Sequence, residues 1–278
     1  MIDDRVAFSK LALTLSPWIE HIVFVGGWAH RLFRLHPLGK AVGYPPLMTH
    51  DADVVVPSAL PRTSQDMRTR LRTAGFHEEF LGENQPPVTH YRLGSETADF
   101  YAEFLTPLFG GRHRRDGSVD ATTSISGVTA QKLRYLEILL IEPWTVQLTA
   151  AAGYPVGNKP RDVRVPNAAS YIVQKLLALP DRETQDRGKD LLYIHDTIEL
   201  FGSALGELAS TWQNAVRPTL HRNRLRNLQQ AAPDVFTVTS DTAAEAVLIA
   251  RSQGRSLTVP EFCDLCLYGL KQILQSES

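Results

Sequence analysis

Residues 47–57 read LMTHDADVVVP, and the aspartates at 51 and 53 constrain this chain more than any other feature. The β-branched run that follows predicts a strand over 51–56, stopped by Pro57. Successive side chains of a strand point to opposite faces, so Asp51 and Asp53 emerge on the same side of the sheet. Two like charges that close raise the free energy unless something positive lies between them. The fold therefore has to bring a cation to the face of one apolar strand.

The rest of the first half supplies a sheet for that strand. HIVFV at 21–25 predicts a short strand ending in Gly26-Gly27, followed by a helix over 28–35 with Trp28, Leu32 and Leu35 at helical spacing. The Pro- and Gly-rich stretch 36–50 predicts a loop, 63–74 a polar-faced helix, 90–93 and 99–105 two further strands, and 129–140 a helix. Residues 144–166 predict a hairpin with VQL and DVRV as its strands, and from Asn167 to Lys271 the pattern is almost wholly helical. The expected architecture is α/β (α+β): a small mixed sheet flanked by helices in residues 1–160, and an α-helical domain in 161–278.

Composition removes several function classes. A formal net charge of −1 over 278 residues gives no whole-molecule attraction for nucleic acid or an anionic membrane, so any such contact is local. MIDDRVAFSK lacks the apolar core of a secretory signal, and no apolar run approaches the roughly 20 residues of a membrane span. Cys263 and Cys266 are the only cysteines. Their CxxC lies in a helical context without a second ligand pair, which predicts buried free thiols in a cytoplasmic protein rather than a zinc site.

Three pieces of sequence converge on one chemistry. The strand–Gly26-Gly27–helix turn lets backbone approach a ligand and aims a helix N-terminus at an anion. Asp51 and Asp53 follow on the next strand, and Glu103 stands in FYAEFLTP among apolar neighbours. Asp99 shares the face of Glu103 and is the alternative third acid. Carboxylates converging from neighbouring strands call for a divalent cation, Mg²⁺ (or Mn²⁺), with the phosphates of a nucleoside triphosphate (NTP) as its other ligands.

The order VGGWA, THDADVVV, AEFLTP resembles the nucleotidyltransferases of the DNA polymerase β superfamily. That resemblance implies that Asp51 and Asp53 hold metal, that Glu103 shares the metal or acts as base, and that Gly26 and Gly27 face the triphosphate. Two departures stand out: Trp28 replaces the usual Ser or Thr, and the interval from Gly27 to Asp51 is long. Trp28 reads as a core tryptophan, with a base-stacking platform as the alternative.

In the second half, YIVQKLLALPDRETQDRGKDLLYIHDTIEL is similar to the helical half of AbiEii-type nucleotidyltransferases, a group that includes toxins of bacterial toxin–antitoxin and phage-defence systems. By that resemblance Lys175 holds the triphosphate, Asp190 lies near the catalytic centre, and Arg182 and Lys189 are supporting charges. The implied activity is transfer of a nucleotide from an NTP to a hydroxyl (EC 2.7.7-type), with tRNA or another RNA as acceptor and a cognate antitoxin as partner. A non-catalytic nucleotide-sensing protein and a small-molecule, antibiotic-type nucleotidyltransferase stay open as alternatives. Arg217, His221, Arg222, Arg224 and Arg226, and the loop Arg112-His113-Arg114-Arg115, are basic clusters that contact RNA phosphate or are simply solvated. The two resemblances together cover roughly residues 20–200, and the last 75 residues resemble no named family.

Overall fold

The computed structural model describes residues 4–82, 88–94, 100–111 and 120–275. Asp99 and the basic loop at 112–115 lie outside them. The chain divides into two compact units, Met1–Leu35 with Leu47–Pro166, and His36–Pro46 with Asn167–Ser278.

The first unit contains, in chain order, α1 (Asp4–Thr14), β1 (Val23–Phe24), α2 (Gly26–Leu32), β2 (Asp51–Val55), α3 (Met67–Thr73), β3 (Phe76–Leu81), β4 (Val88–Leu93), β5 (Tyr101–Pro107), β6 (Thr122–Ile125), β7 (Val128–Leu133), α4 (Leu136–Leu139), β8 (Trp144–Leu148) and β9 (Arg161–Val165). Strands run in the order β1-β2-β5-β4-β3; β7 pairs with β5 and with β6. The β2–β5 and β5–β7 pairs are parallel and the other pairs antiparallel, so the sheet is mixed as expected. β8 and β9 form the separate two-stranded hairpin that VQL and DVRV predict.

One face of the central strands is built for burial. Ala52, Val54, Ala102 and Phe104 alternate with the acids and are at most 1% exposed. At the far ends of β2 and β5 the acidic face turns apolar, where Val55 and Leu105 join Val23, Val25, Leu136 and Leu139 in one cluster. The carboxylates thus stand at the edge of the core rather than within it.

The helix expected over 129–140 is mostly strand. Ala130, Leu133, Leu136 and Leu139 recur every three residues, which reads as helical, but Ser126 and Gly127 have φ of 48° and 80°. Two consecutive positive φ angles are those of a type I′ turn, whose twist matches antiparallel strands, and β6 and β7 close on it as a hairpin. Only Leu136–Leu139 remains helical. β3, which sequence periodicity does not reveal, pairs along its whole length with β4.

The second unit is helical: α5 (Ala168–Ala178), α6 (Thr184–Leu200), α7 (Leu205–Thr211), α8 (Arg222–Val235), α9 (Asp241–Ser252) and α10 (Val259–Leu274), with a π-helical turn at Trp212–Val216. Thr258 and Glu261 form a capping box that starts α10. Residues 36–46, expected as a loop, belong to this unit. Lys40 N–H donates to the Leu200 carbonyl at 2.9 Å, and the Tyr44 hydroxyl donates to Glu199 at 2.7 Å. Cys263 and Cys266 are free and buried, as their helical context predicts. Among the described residues, no helix is long and apolar enough to cross a membrane.

Close packing of α10 on α6 depends on Gly269, where a Cβ would overlap the Ile198 side chain. Overpacking a buried helix contact destabilises by about 1–3 kcal/mol. Gly269→Ala is expected to lower the unfolding free energy from urea titration by that amount, and an unchanged free energy would show that the helices have room to separate.

Candidate active site

β2 and β5 lie side by side in parallel register, pairing Asp51 with Tyr101 and Asp53 with Glu103. All four side chains occupy the half-buried face. The register continues across the sheet. Arg92 of β4 pairs with Tyr101, which sets His90 opposite Glu103, and His90 in turn pairs with Glu79 of β3. One row thus reads Asp53, Glu103, His90, Glu79, and the next reads Asp51, Tyr101, Arg92.

Each member of this face has specific partners. His90 Nε2 lies 2.8 Å from Glu103 Oε1, and His90 Nδ1 lies 3.8 Å from Glu79. The His90 ring stacks on Tyr101 at 4.0 Å and 17°. Arg92 holds Glu79 through two nitrogens at 2.7 and 3.1 Å. Thr49, itself buried, donates its hydroxyl to Asp51. Burial, then the negative charges of Asp51, Glu103 and Asp53, push the Tyr101 phenol well above its ordinary pKa. One side chain feels all three acids, which is the electrostatic mark of their sharing a face. His90 was not among the residues that sequence reasoning selected. The sequence shows only a histidine opening a predicted strand; that this strand lies beside the strand of Glu103 is a property of the fold.

The glycine turn packs directly on this face. Gly26 has φ of 61°, and a Cβ there would fall on the Asp53 carboxylate, so conformation and space both require glycine. Trp28 is fully buried and stacks on Phe8 at 4.1 Å, with the Arg31 guanidinium 4.6 Å from its ring. It is a core residue and offers no stacking surface to a base.

The other predicted site residues lie in the helical unit. Lys175 on α5 and Asp190 on α6 form an ion pair at 2.5 Å, and each is 3% exposed. Tyr171 and Tyr193 flank the ammonium with ring centroids at 5.0 and 4.7 Å. Arg182 reaches the second Asp190 oxygen at 2.9 Å with about half of its own side chain exposed, at 49%. Burial by itself would raise the Asp190 carboxyl, but the charges and hydrogen bonds of Lys175 and Arg182 outweigh it and hold the group below its ordinary pKa. Lys189 is half-buried near Tyr193. His221 caps α8, and Arg222 and Arg226 are exposed one turn apart on it.

Among the described residues, the one trio of acids and imidazoles whose donor atoms all approach within 4.8 Å is His195, Asp196 and Glu199. Asp51, Asp53 and Glu103 share a face without closing to that distance. The trio already holds a cation. Both Asp196 oxygens accept from Arg255 at 2.7 and 2.9 Å, and the guanidinium carbon lies 3.6 Å from the Tyr44 ring centroid. A metal there would have to displace a guanidinium bound by two hydrogen bonds and an aromatic face, so this cluster does not fit an ion.

The Lys175–Asp190 pair generates a direct test. Asp190→Asn leaves a buried ammonium without its counter-ion, an uncompensated charge that destabilises by about 3–5 kcal/mol in urea unfolding. Replacing both, as Lys175→Met with Asp190→Leu, is expected to recover most of that loss. The Asp190 contribution is present above the unfolded carboxylate pKa of about 3.9 and is lost as pH falls through the lower folded value. Equal unfolding free energies for Asp190→Asn and wild type would overturn the buried pairing.

Residues 9–217, most of the chain, match a protein family described as nucleotidyltransferase. No curated protein matches the chain in sequence. The matched range takes in the glycine turn, the Asp51–Asp53 strand, Glu103 and the Lys175–Asp190 helices, while α8 to α10 lie beyond it. A mixed sheet flanked by helices, followed by a helical region, is consistent with a nucleotidyltransferase fold. The chain belongs to this nucleotidyltransferase family.

Proposed function

We propose that this protein is a metal-dependent enzyme that moves a nucleotide from an NTP to a hydroxyl acceptor. The observation that carries this reading is the in-register pairing of Asp53 with Glu103 beside Asp51 on one half-buried sheet face. Carboxylate oxygens are hard donors suited to Mg²⁺ or Mn²⁺, and three of them on one face fit such an ion by charge and by chemistry. Asp51, Asp53 and Glu103 would hold it; when bound it neutralises triphosphate charge and stabilises the pyrophosphate leaving group.

The chain's own groups divide the remaining tasks. Gly26 and Gly27 let backbone approach the triphosphate. Glu103 takes the proton of the acceptor hydroxyl as its oxygen bonds to the α-phosphorus and the bond from that phosphorus to the bridging oxygen of pyrophosphate breaks. Lys175 and Asp190 form the buried anchor of the α5–α6 pair, and half-exposed Arg182 is the member of that group with surface to offer a phosphate. Among acceptors we favour RNA, tRNA in particular, with Arg222 and Arg226 on the exposed side of α8 contacting its backbone. A cytoplasmic toxin of the AbiEii type, restrained by an antitoxin, is the biological role that the sequence resemblance supports.

A second reading, nucleotide sensing without turnover, draws on Trp28 and Lys175. The turn position expected to carry a hydroxyl is a core indole, and the ammonium expected at phosphate is ion-paired and buried.

Asp53→Asn separates the two readings. Wild type incubated with labelled NTPs and total cellular RNA is expected to label tRNA-sized product and release pyrophosphate. The folded Asp53→Asn variant is expected to lose at least 100-fold, about 2.7 kcal/mol of transition-state stabilisation. Full activity in that variant would remove Asp53 from the site; NTP binding by wild type without pyrophosphate release would favour sensing.

A further inference from the structure

We infer that His90 is a positioning residue that fixes Glu103 for its role in the site, an inference that rests on reading Glu103 as the third acid. The imidazole Nε2 stands 2.8 Å from Glu103 Oε1. A carboxylate accepts, so Nε2 carries the proton in this contact. That bond engages Oε1 of Glu103 and restrains the carboxylate on the face it shares with its strand partner Asp53. Glu103 is thereby held in one orientation for its role.

The surroundings show that His90 is held for this contact rather than for packing. It is 9% exposed, and its Nδ1 is buried without a hydrogen-bond partner among the described residues. A half-satisfied buried imidazole is unfavourable compared with an apolar side chain of similar volume. Glu79 lies 3.8 Å from Nδ1, beyond hydrogen-bond distance, and is engaged instead by two nitrogens of Arg92. Stacking on Tyr101 at 4.0 Å fixes the plane of the ring, and Tyr101 is the strand partner of Asp51. β4 therefore controls the third acid from the strand opposite to the one that carries the first two. Outer partners that orient a reacting or ligating carboxylate typically change affinity or rate by about 10–100-fold when removed.

Three substitutions test the assignment. In His90→Gln the amide nitrogen reaches close to the Nε2 position and keeps a donor for Glu103. His90→Asn is polar but too short to do so, and His90→Leu fills the space without a donor. The expected result is a fall in kcat of about 10–100-fold for His90→Leu and His90→Asn, with KM for NTP within about twofold of wild type, and recovery to within a few-fold in His90→Gln. Calorimetric titration with Mn²⁺ provides a readout independent of turnover. Affinity is expected to weaken about 10–100-fold in the Leu and Asn variants and to be retained in the Gln variant. If His90→Leu fails to fold, the comparison of Asn with Gln carries the test.

Wild-type kcat and Mn²⁺ affinity in His90→Asn, or a His90→Gln variant as impaired as His90→Asn, would overturn the inference. Should wild type bind Mn²⁺ but transfer no nucleotide, the proposed function falls and the Mn²⁺ comparison alone decides on His90. Should it neither bind nor transfer, both fall.

Discussion

One electrostatic constraint organises the candidate site of the first unit: Asp51, Asp53 and Glu103 project from adjacent parallel strands on one sheet face. Parallel neighbours are about 4.8 Å apart, so nothing in the backbone separates these charges. The alternate face of the same strands is sealed by Ala52, Val54, Ala102 and Phe104, and the strand ends are fixed by the cluster around Val55 and Leu105. The core thus holds the acids in a register that they would not choose. Gly26 tightens the arrangement by letting the β1–α2 turn lie directly against Asp53.

The helical unit handles its buried acids differently. Asp190 meets Lys175 and Arg182, and Asp196 meets two nitrogens of Arg255. Those acids are neutralised inside the protein by fixed cations with good hydrogen-bond geometry, the condition under which a buried charge is tolerable. On the sheet face, Asp51 is met by a threonine hydroxyl and Glu103 by an imidazole. The acids of the His195 trio and of the Lys175 pair are thus matched to internal cations, whereas the sheet-face acids are the ones proposed to meet a bound cation.

Much of this was legible in the sequence. The β-branched run before Pro57 located β2, the aromatic and apolar stretch before Pro107 located β5, and the order of acids along the chain located the candidate site before any register was known. Trp28 and the two cysteines read correctly as core because apolar neighbours recur at helical spacing around them. Where reading failed, two periods competed. Residues 129–140 carry apolar side chains every three positions, and only the Ser126-Gly127 turn reveals that the first half pairs as a strand. Pairing itself is invisible in one chain: neither the His90–Glu103 contact nor the burial of Lys175 against Asp190 follows from spacing, because each joins residues set side by side only by the tertiary fold. The Pro-rich segment 36–46 reads as a loop, and only the contacts of Lys40 and Tyr44 show that it belongs with the helices.

Thermal unfolding of wild type and of the double variant Asp51→Asn with Asp53→Asn, each with and without Mn²⁺, tests most directly whether the sheet face is charged for a cation. Without metal, removing the two like charges relieves repulsion, so the double variant is expected to unfold at or above the wild-type midpoint. Added Mn²⁺ at 100 times its dissociation constant is expected to stabilise wild type by about 2.7 kcal/mol and to leave the double variant unmoved. A wild-type midpoint that ignores Mn²⁺, or a double variant stabilised equally by it, would contradict a cation site at Asp51 and Asp53.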